Sequence, residues 1–179
     1  LEAVRALVTD KTAAILVEAV QGAGGVVPAD PAFLQGIRAL CDERDILMLC
    51  DEVQCGLGRT GRWFGFQAAG VVPDAFSLAK ALGGGLPIGA IVAGPRASGV
   101  FKPGKHASTF GGNPVAAAAA LAMLQVIEEE KLVDRAAEAG ARFKAGLEAL
   151  AGKYEHVKSV RGAGLMLGLS FASVPLYRA

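Results

Sequence analysis

"DILMLCDE", residues 45–52, decides the fold of this chain, because an apolar run ends there in two adjacent carboxylates. A continuous apolar run of this length is typical of a strand inside a parallel sheet, covered on both faces. The run stops at Asp51 and Glu52, which the sequence therefore places at the carboxyl end of the strand. Open α/β sheets bind their ligands at that end, so the neighbouring strands should show what else reaches it.

The segments on either side of this stretch predict more strands of the same sheet. TAAILVEAV (12–20) is rich in apolar and β-branched residues and reaches a polar edge at Glu18. DAFSLAK (74–80) repeats the pattern and ends at Lys80, and PIGAIVAG (87–94) follows a run of three glycines. With a helix between the first two strands, this order predicts an α/β fold built on a mostly parallel sheet.

Three helices are predicted around the sheet. The first begins at Asp30, a capping residue followed by Pro31. Residues 115–130 (VAAAAALAMLQVIEEE) are apolar all round for three turns, which predicts cover on several sides. The third helix, at about 131–150, precedes VRGAGLMLGLSF (160–171), which is typical of a turn into a new strand. The apolar stripe of this third helix contains Leu132, Ala136, Phe143, Leu147 and Leu150.

Composition narrows the functions that this chain can have. The 179 residues are 53% hydrophobic, and 18 basic against 17 acidic side chains leave a formal charge of +1. This balance gives no electrostatic support for binding nucleic acid or an anionic membrane, so we expect small-molecule chemistry. Three cysteines without C-x-x-C spacing and only two histidines predict no metal site and are typical of a cytoplasmic protein.

The predicted strand ends bring an amine close to carboxylates. Glu18, Asp51 and Lys80 each close a strand, and nearby glycines allow a ligand to approach closely. This set suits pyridoxal phosphate, whose aldehyde forms a Schiff base with a lysine and whose protonated ring nitrogen needs an aspartate. Taken singly, however, Lys80 and Asp51 are also what an ordinary solvated strand end contains.

The glycines of GLGRTG (56–61) suggest a different function. This string fits the G-x-G-x-x-G pattern of dinucleotide-binding folds, with Asp74 as the candidate ribose-binding acid. In those folds the glycines follow a strand directly and open a helix. Here DEVQC separates the strand from the glycines and the bulky RWFGF follows them, so the sequence favours the lysine chemistry and leaves nucleotide binding as the alternative.

Three longer motifs, taken in order, resemble one known family. DEVQCGLGRTG (51–61), AKALGGGLPIGA (79–90) and STFGGNP (108–114) are similar to motifs of the class III pyridoxal-phosphate aminotransferases. The resemblance implies a fold-type-I, aspartate-aminotransferase-like α/β transferase. Residues 1–128 would then form the C-terminal part of the large cofactor-binding domain, and residues 129–179 a linking helix and the start of a small C-terminal domain.

The resemblance also implies roles for individual residues around the cofactor. Lys80 would form the Schiff base and later act as a base towards the substrate, and Asp51 would pair with the ring nitrogen. Val53 would lie against the ring and Gln54 near its phenolic oxygen, with Glu52 as part of the same cradle.

Three further residues are implicated through the substrate and a second subunit. Thr109 would bind the cofactor phosphate across a subunit boundary, which implies a homodimer with shared active sites. Ser108 would contact the substrate. Glu18 would help to control the arginine that binds the substrate when the site changes from one amino donor to the other.

The reaction that the resemblance implies is the transfer of an amino group. The likeness is strongest to members that take it from N-acetylornithine, in arginine biosynthesis, and pass it to 2-oxoglutarate. Ornithine, succinylornithine and 4-aminobutyrate stay open as donors, because members that use them share these motifs. The family's phosphate-binding loop and substrate-binding arginine lie outside these 179 residues, so we expect an inactive fragment.

Overall fold

The structure is a computed structural model that describes residues 1–172. Its strands are β1 (Ala14–Val17), β2 (Val20–Gln21), β3 (Val27–Pro28), β4 (Leu47–Asp51), β5 (Ala75–Leu78), β6 (Ala90–Ala93), β7 (Val157–Ala163) and β8 (Met166–Phe171). Its helices are α1 (Glu2–Leu7), α2 (Pro31–Glu43), α3 (Pro95–Ser98), α4 (Pro114–Glu129) and α5 (Leu132–Ala151), with short 3₁₀ turns at Gly65–Ala69 and Lys80–Gly83.

The central sheet has four strands in the order β1–β4–β5–β6. β1, β4 and β5 are parallel, and Asp51 of β4 lies opposite Ser77 of β5. β6 runs antiparallel to β5, because the connection from Leu78 to Ala90 contains no crossover helix and a parallel return would need one. The predicted α/β fold with a largely parallel sheet is confirmed, with β6 as the exception.

One face of the sheet packs on α2 and forms the main core. Met48 and Cys50 point to this side of β4 and are almost completely buried. The helix begins as predicted, because the Asp30 carboxylate accepts a hydrogen bond from the Ala32 N–H at 2.7 Å. Its buried side, which contacts these strand residues, consists of Leu34, Ile37, Leu40 and Cys41.

The opposite side, the open sheet face, is exposed at its edges. Register places Leu16, Leu49, Asp51, Ser77 and Ile91 on this face. Leu16 is 66% exposed and Ile91 is 59% exposed. Residues 1–172 therefore supply little cover here, and the prediction that the strands are covered on both faces is wrong for this part of the chain.

The apolar helix α4 is covered on one side only. Ala116, Ala120 and Ile127 are buried, whereas Val115 is 67% exposed and Leu121 is 65% exposed. The predicted cover on several sides is therefore not supplied by residues 1–172. A helix that is apolar all round does not itself say which partner covers each side.

The apolar stripe predicted for α5 is also only partly buried. Ala136 and Gly140 are buried, but Phe143 and Leu150 are exposed. In the first half of α5, Ala137 packs against Gly61 of the loop after β4, and Gly140 packs against Gly164 of the hairpin turn. Residues 1–172 therefore supply little cover for the C-terminal half of this stripe.

Two antiparallel pairs were not predicted. The strand expected at 12–20 breaks near Glu18, and β2 then pairs with β3. The segment expected to be a turn into one strand is the hairpin β7–β8, and its turn lies at Gly164 and Leu165. The division into domains at residue 128 stays a prediction.

The three cysteines are free thiols inside the core. Burial raises the pKa of Cys50 and that of Cys55 to about 12 in each case. Burial also raises the pKa of Cys41. These thiols therefore stay protonated near neutral pH, and protonated thiols are poor nucleophiles.

Within residues 1–172, every helix falls short of the length and apolar character that a membrane span requires. The same residues contain no group of three histidine, cysteine, aspartate or glutamate side chains placed to hold a metal ion. The strand ends stay the place where a functional site is expected.

Candidate functional site

The carboxyl ends of β4 and β5 place Asp51 and Lys80 on neighbouring parallel strands. Asp51 is the last residue of β4, and Lys80 begins the 3₁₀ turn that follows β5. Parallel pairing of Asp51 with Ser77 brings both strand ends to the same edge of the sheet. The structure thus brings together the amine and the carboxylate that the sequence predicted for this edge.

The Asp51 carboxylate is held through one of its oxygens. Oδ1 accepts hydrogen bonds from the Val53 N–H at 2.9 Å and from the Ser77 hydroxyl at 3.1 Å. Oδ2 accepts none from the residues that the structure describes. The side chain is therefore fixed in orientation while one oxygen can still accept a hydrogen bond from a ligand.

Lys80 has an unusual backbone conformation. Its φ is 49°, in the left-handed region that costs a residue with a side chain roughly 1–2 kcal/mol. Strained residues of this kind concentrate at functional sites, where the surrounding fold holds them in place. The glycines that follow, Gly84 and Gly85, also have positive φ, which lets the chain turn back towards β6.

Lys80 is exposed and lines a cavity of about 390 Å³. Val53 and Gln54 line one side, and the hairpin residues Leu165–Leu167 line another. Gly22 lies against the Gln54 amide, and a Cβ at Gly22 would collide with it. The cavity therefore places an amine, an amide and apolar side chains around one space.

Glu52 borders the same cavity, but its carboxylate is already bound within the fold. Its oxygens accept hydrogen bonds from the Gly65 N–H at 2.8 Å and from the Phe66 N–H at 3.1 Å, and the residue is 1% exposed. Burial raises the pKa of Glu52, although the two N–H groups oppose the shift. A cofactor contact of Glu52 stays a prediction, and its side chain has a clear role in holding the 65–66 turn.

Glu18 and Asp51 border a second cavity, of about 410 Å³. Glu18 Oε2 accepts a hydrogen bond from the Gly22 N–H at 3.1 Å. The consecutive residues Gln21 and Gly22 line this second cavity and the cavity of Lys80, respectively. Asp51 and Lys80 thus share an edge of the sheet but line different cavities among the described residues.

Ser108 and Thr109 are not brought to this edge within one chain. Both are exposed, in the loop that precedes α4, and neither lines the cavity of Lys80. Their predicted contacts with substrate and cofactor phosphate are therefore not made by residues 1–172 alone.

Sequence reasoning missed Ser77, Gly22 and the hairpin wall. Ser77 had a usable signal, because it is the polar residue of an otherwise apolar strand next to Lys80. Gly22 and Leu165–Leu167 had none, since their contacts join segments far apart in the chain.

The glycines of GLGRTG pack against the protein itself. A Cβ at Gly56 would lie 2.7 Å from the Glu52 carbonyl oxygen, and one at Gly61 would lie 2.9 Å from the Ala137 Cβ. Asp74 is buried and accepts hydrogen bonds from Arg38 and Arg96. These contacts account for the motif without a nucleotide, and no helix opens directly after it.

Comparison of the sequence with known proteins agrees with the geometry of the site. Residues 1–175 match the family described as aminotransferase class-III. The acetylornithine aminotransferase of Gloeobacter violaceus is 58% identical over 169 residues, which are 94% of this chain and 42% of that protein. That of Methanocaldococcus jannaschii is 52% identical over 168 residues, with the same coverage.

Solved structures of the family superpose on most of this chain. Ornithine delta-aminotransferase of Plasmodium falciparum aligns with a TM-score of 0.90 at 41% identity, over 96% of this chain and 45% of that chain. Acetylornithine aminotransferase of Elizabethkingia anophelis aligns with a TM-score of 0.90 at 39% identity, over 97% and 44%. The chain spans less than half the length of these relatives.

The matched region includes both strand ends and all three sequence motifs, so the likeness covers the site as well as the sheet. The predicted type I transferase fold is confirmed by the same superpositions. This chain belongs to the class III aminotransferases.

Proposed function

We propose that this chain supplies the lysine and the aspartate of a pyridoxal-phosphate aminotransferase site. The observation that supports this most is the position of Asp51 and Lys80 at the carboxyl ends of adjacent parallel strands. Membership of the class III family supports the same roles for the aspartate of the DEVQ motif and the lysine of the AKALGGG motif. Because the chain covers 42% of its relatives, the activity would belong to the longer protein.

The residues present fit pyridoxal phosphate. Asp51 Oδ2 can accept a hydrogen bond from a pyridinium N–H, and Val53 offers an apolar surface beside the Lys80 cavity. Lys80 Nζ forms no ion pair with the described residues, so it is available as a nucleophile. When bound, the cofactor supplies an electron sink for negative charge at the substrate's reacting carbon.

Each residue then has a defined task. Asp51 keeps the ring nitrogen protonated, and its bond from the Ser77 hydroxyl fixes the carboxylate in place. Lys80 Nζ would hold the cofactor and, when its amine is free, would take up on that nitrogen the proton that leaves the reacting carbon of the substrate. Val53 and Gln54 orient the ring and its phenolic oxygen.

The proposed amino donor is N-acetylornithine, with 2-oxoglutarate as the acceptor. It is supported by the names of relatives that are 49–58% identical, all acetylornithine aminotransferases. Ornithine is the second candidate, because ornithine aminotransferases are among the solved structures that superpose on this chain. Arginine biosynthesis follows from the first donor, and the free cysteines support a cytoplasmic location as part of the proposal.

A homodimer with shared sites is part of the proposal. Ser108 and Thr109 are exposed and lie away from the Lys80 cavity of their own chain. We propose that they reach the site of a second subunit, where Thr109 binds the cofactor phosphate and Ser108 the substrate. Glu18 would act on the substrate side, next to Asp51.

Reductive trapping tests the role of Lys80. The chain is mixed with pyridoxal phosphate, reduced with borohydride, digested, and each lysine is scored by mass spectrometry. Lys80 and Lys11 are both exposed, but only Lys80 lines the cavity. We expect the label at Lys80 to exceed that at Lys11 about tenfold, because cavity contacts add to the imine bond.

Two variants complete this test. Lys80→Ala should remove the selective label, and Asp51→Asn should reduce the preference for Lys80 because it weakens the partner of the ring nitrogen. Lys158→Ala, at an exposed position on β7, is the matched control and should change nothing. Equal labelling of Lys80 and Lys11 would reject the proposal.

A further inference from the structure

Three backbone segments meet at glycines on the far side of the Lys80 cavity. A Cβ at Gly140, in α5, would collide with the backbone of Gly164 in the hairpin turn. A Cβ at Gly164 would lie 2.6 Å from the Gly61 amide nitrogen, and one at Gly61 would lie 3.0 Å from the Ala137 Cα. We call Gly61, Gly140 and Gly164 the glycine junction.

A hydrogen bond fastens the glycine junction to the cavity wall. The Leu165 N–H donates to the Arg59 carbonyl oxygen at 2.9 Å. Leu165 begins the Leu165–Leu167 segment that lines the Lys80 cavity, and Arg59 lines the same cavity from the loop after β4. Both sides of this hydrogen bond therefore belong to the walls around Lys80.

The glycine junction leaves no room for a side chain. Contacts below 3.0 Å cannot be relieved where the opposing atoms are backbone, because interiors are close-packed and whole segments would have to move. Gly61 and Gly164 also have φ of 80° and 54°, which residues with a Cβ adopt at a cost. A larger residue would push the hairpin away from the loop.

We propose that the glycine junction positions the hairpin, so that Leu165–Leu167 close the cavity beside Lys80. The inference rests on the proposed function of Lys80 and adds Gly140 and Gly164 as positioning residues for that site. Gly61 of GLGRTG thereby has a positioning role for the site that acts through backbone packing. Moving the hairpin would take one wall away from the cavity and weaken the selective reaction of Lys80.

Gly140→Ala tests the proposal, with Gly146→Ala as the control. Both glycines lie in α5, but a Cβ at Gly146 meets no atom within 4 Å. Gly140→Ala should raise the hydrogen-exchange rate of the Leu165 amide about tenfold, since its bond to Arg59 opens locally. It should also lower the ratio of Lys80 to Lys11 label about tenfold. Gly146→Ala should change neither value.

The outcomes separate this proposal from the proposed function. If Leu165 exchange stays slow in Gly140→Ala, the glycine junction does not hold the hairpin. If exchange rises but the labelling ratio stays, the junction is only structural, and the proposal is overturned. A ratio near one in the unaltered chain would instead reject the role of Lys80, while the exchange result still decides what holds the hairpin.

Leu167→Ala covers the case in which Gly140→Ala does not fold. It trims the cavity wall without touching the glycine junction. The labelling ratio should fall while the exchange of the Leu165 amide stays slow. An unchanged ratio in Leu167→Ala would show that the wall does not serve Lys80 and would overturn the proposal.

Discussion

Asp74 joins three elements at the end of the sheet opposite Lys80. Its Oδ2 accepts hydrogen bonds from the Met48 N–H at 2.7 Å and from Arg38 Nη1 at 2.9 Å, and its Oδ1 accepts one from Arg96 at 3.2 Å. β4, α2 and α3 are thus tied to the start of β5. The position of Lys80, at the other end of β5, depends on this anchor.

Asp74→Asn should lower the free energy of unfolding by about 3 kcal/mol at neutral pH, because it removes the counter-charge at a buried position from Arg38, whose side chain is only 16% exposed, and from the more exposed Arg96. Burial by itself would raise the pKa of Asp74, but the Met48 N–H, Arg38 and Arg96 hold that pKa below its ordinary value. The pKa of Asp74 is lower in the folded chain than in the unfolded chain. The stabilisation is therefore fully present above about pH 4, the unfolded pKa, and is lost as the pH falls through the folded pKa.

Urea unfolding at pH 7 and at pH 3 measures this effect. The difference between the unaltered chain and Asp74→Asn should be large at pH 7 and should shrink at pH 3. Asp10→Asn, at an exposed position without a described side-chain bond, is the control and should unfold like the unaltered chain. If the difference in unfolding free energy between the two chains is the same at pH 7 and pH 3, the charge of Asp74 does not stabilise the fold.

Among the elements, α2 is the one whose start the sequence placed best. Asp30 and Pro31 form a local signal, and the carboxylate does cap the Ala32 N–H. Asp30→Ala should lower the free energy of unfolding by about 1 kcal/mol, because an N–H of the first turn loses its acceptor. Asp30→Asn keeps an acceptor and should restore most of the loss in urea unfolding. Equal losses in both variants would exclude capping as the cause.

The predicted and unpredicted elements differ in the range of the contacts that make them. Apolar runs and caps are local, so the positions of β4, β5 and α2 follow from the sequence. The β2–β3 and β7–β8 pairs and the reversed β6 depend on contacts between segments, which periodicity does not record. Burial of α4 and α5 was overestimated for the same reason, because an apolar side predicts cover but not its source.

The candidate site divides in the same way. Strand ends marked Asp51 and Lys80, since an acid or amine that stops an apolar run is visible in the sequence. The sequence does not show that Ser77 bonds to Asp51, that Asp51 Oδ2 accepts no hydrogen bond from the described residues, or that Lys80 has a left-handed φ. The hydrogen bonds from the Gly65 and Phe66 N–H groups to Glu52 join residues that are 13 and 14 positions apart, so the DEVQ motif alone does not predict them.

The whole molecule exposes apolar surface on the open sheet face. Leu16 and Ile91 there are 66% and 59% exposed, on a flat surface that favours association. Leu16→Lys combined with Ile91→Lys should reduce self-association of the chain in sedimentation velocity, because paired surfaces would bring like charges together. The sheet itself should stay folded, since neither side chain is buried.

A second double variant controls for added charge. Leu7→Lys with Val72→Lys introduces the same charges at side chains that are 78% and 77% exposed but lie away from the open sheet face. It should leave self-association unchanged. An equal reduction by both double variants would attribute the effect to net charge and not to this face.

The buried thiols have a consequence for the redox chemistry of the folded molecule. The sulfur atoms of all three cysteines lie inside the core. Burial raises the pKa of Cys50 and that of Cys55 to about 12, so both thiols keep their protons at neutral pH. Oxidants in solution therefore meet no thiolate while the chain is closed. Oxidation of a cysteine in this molecule would therefore report how often its core has opened.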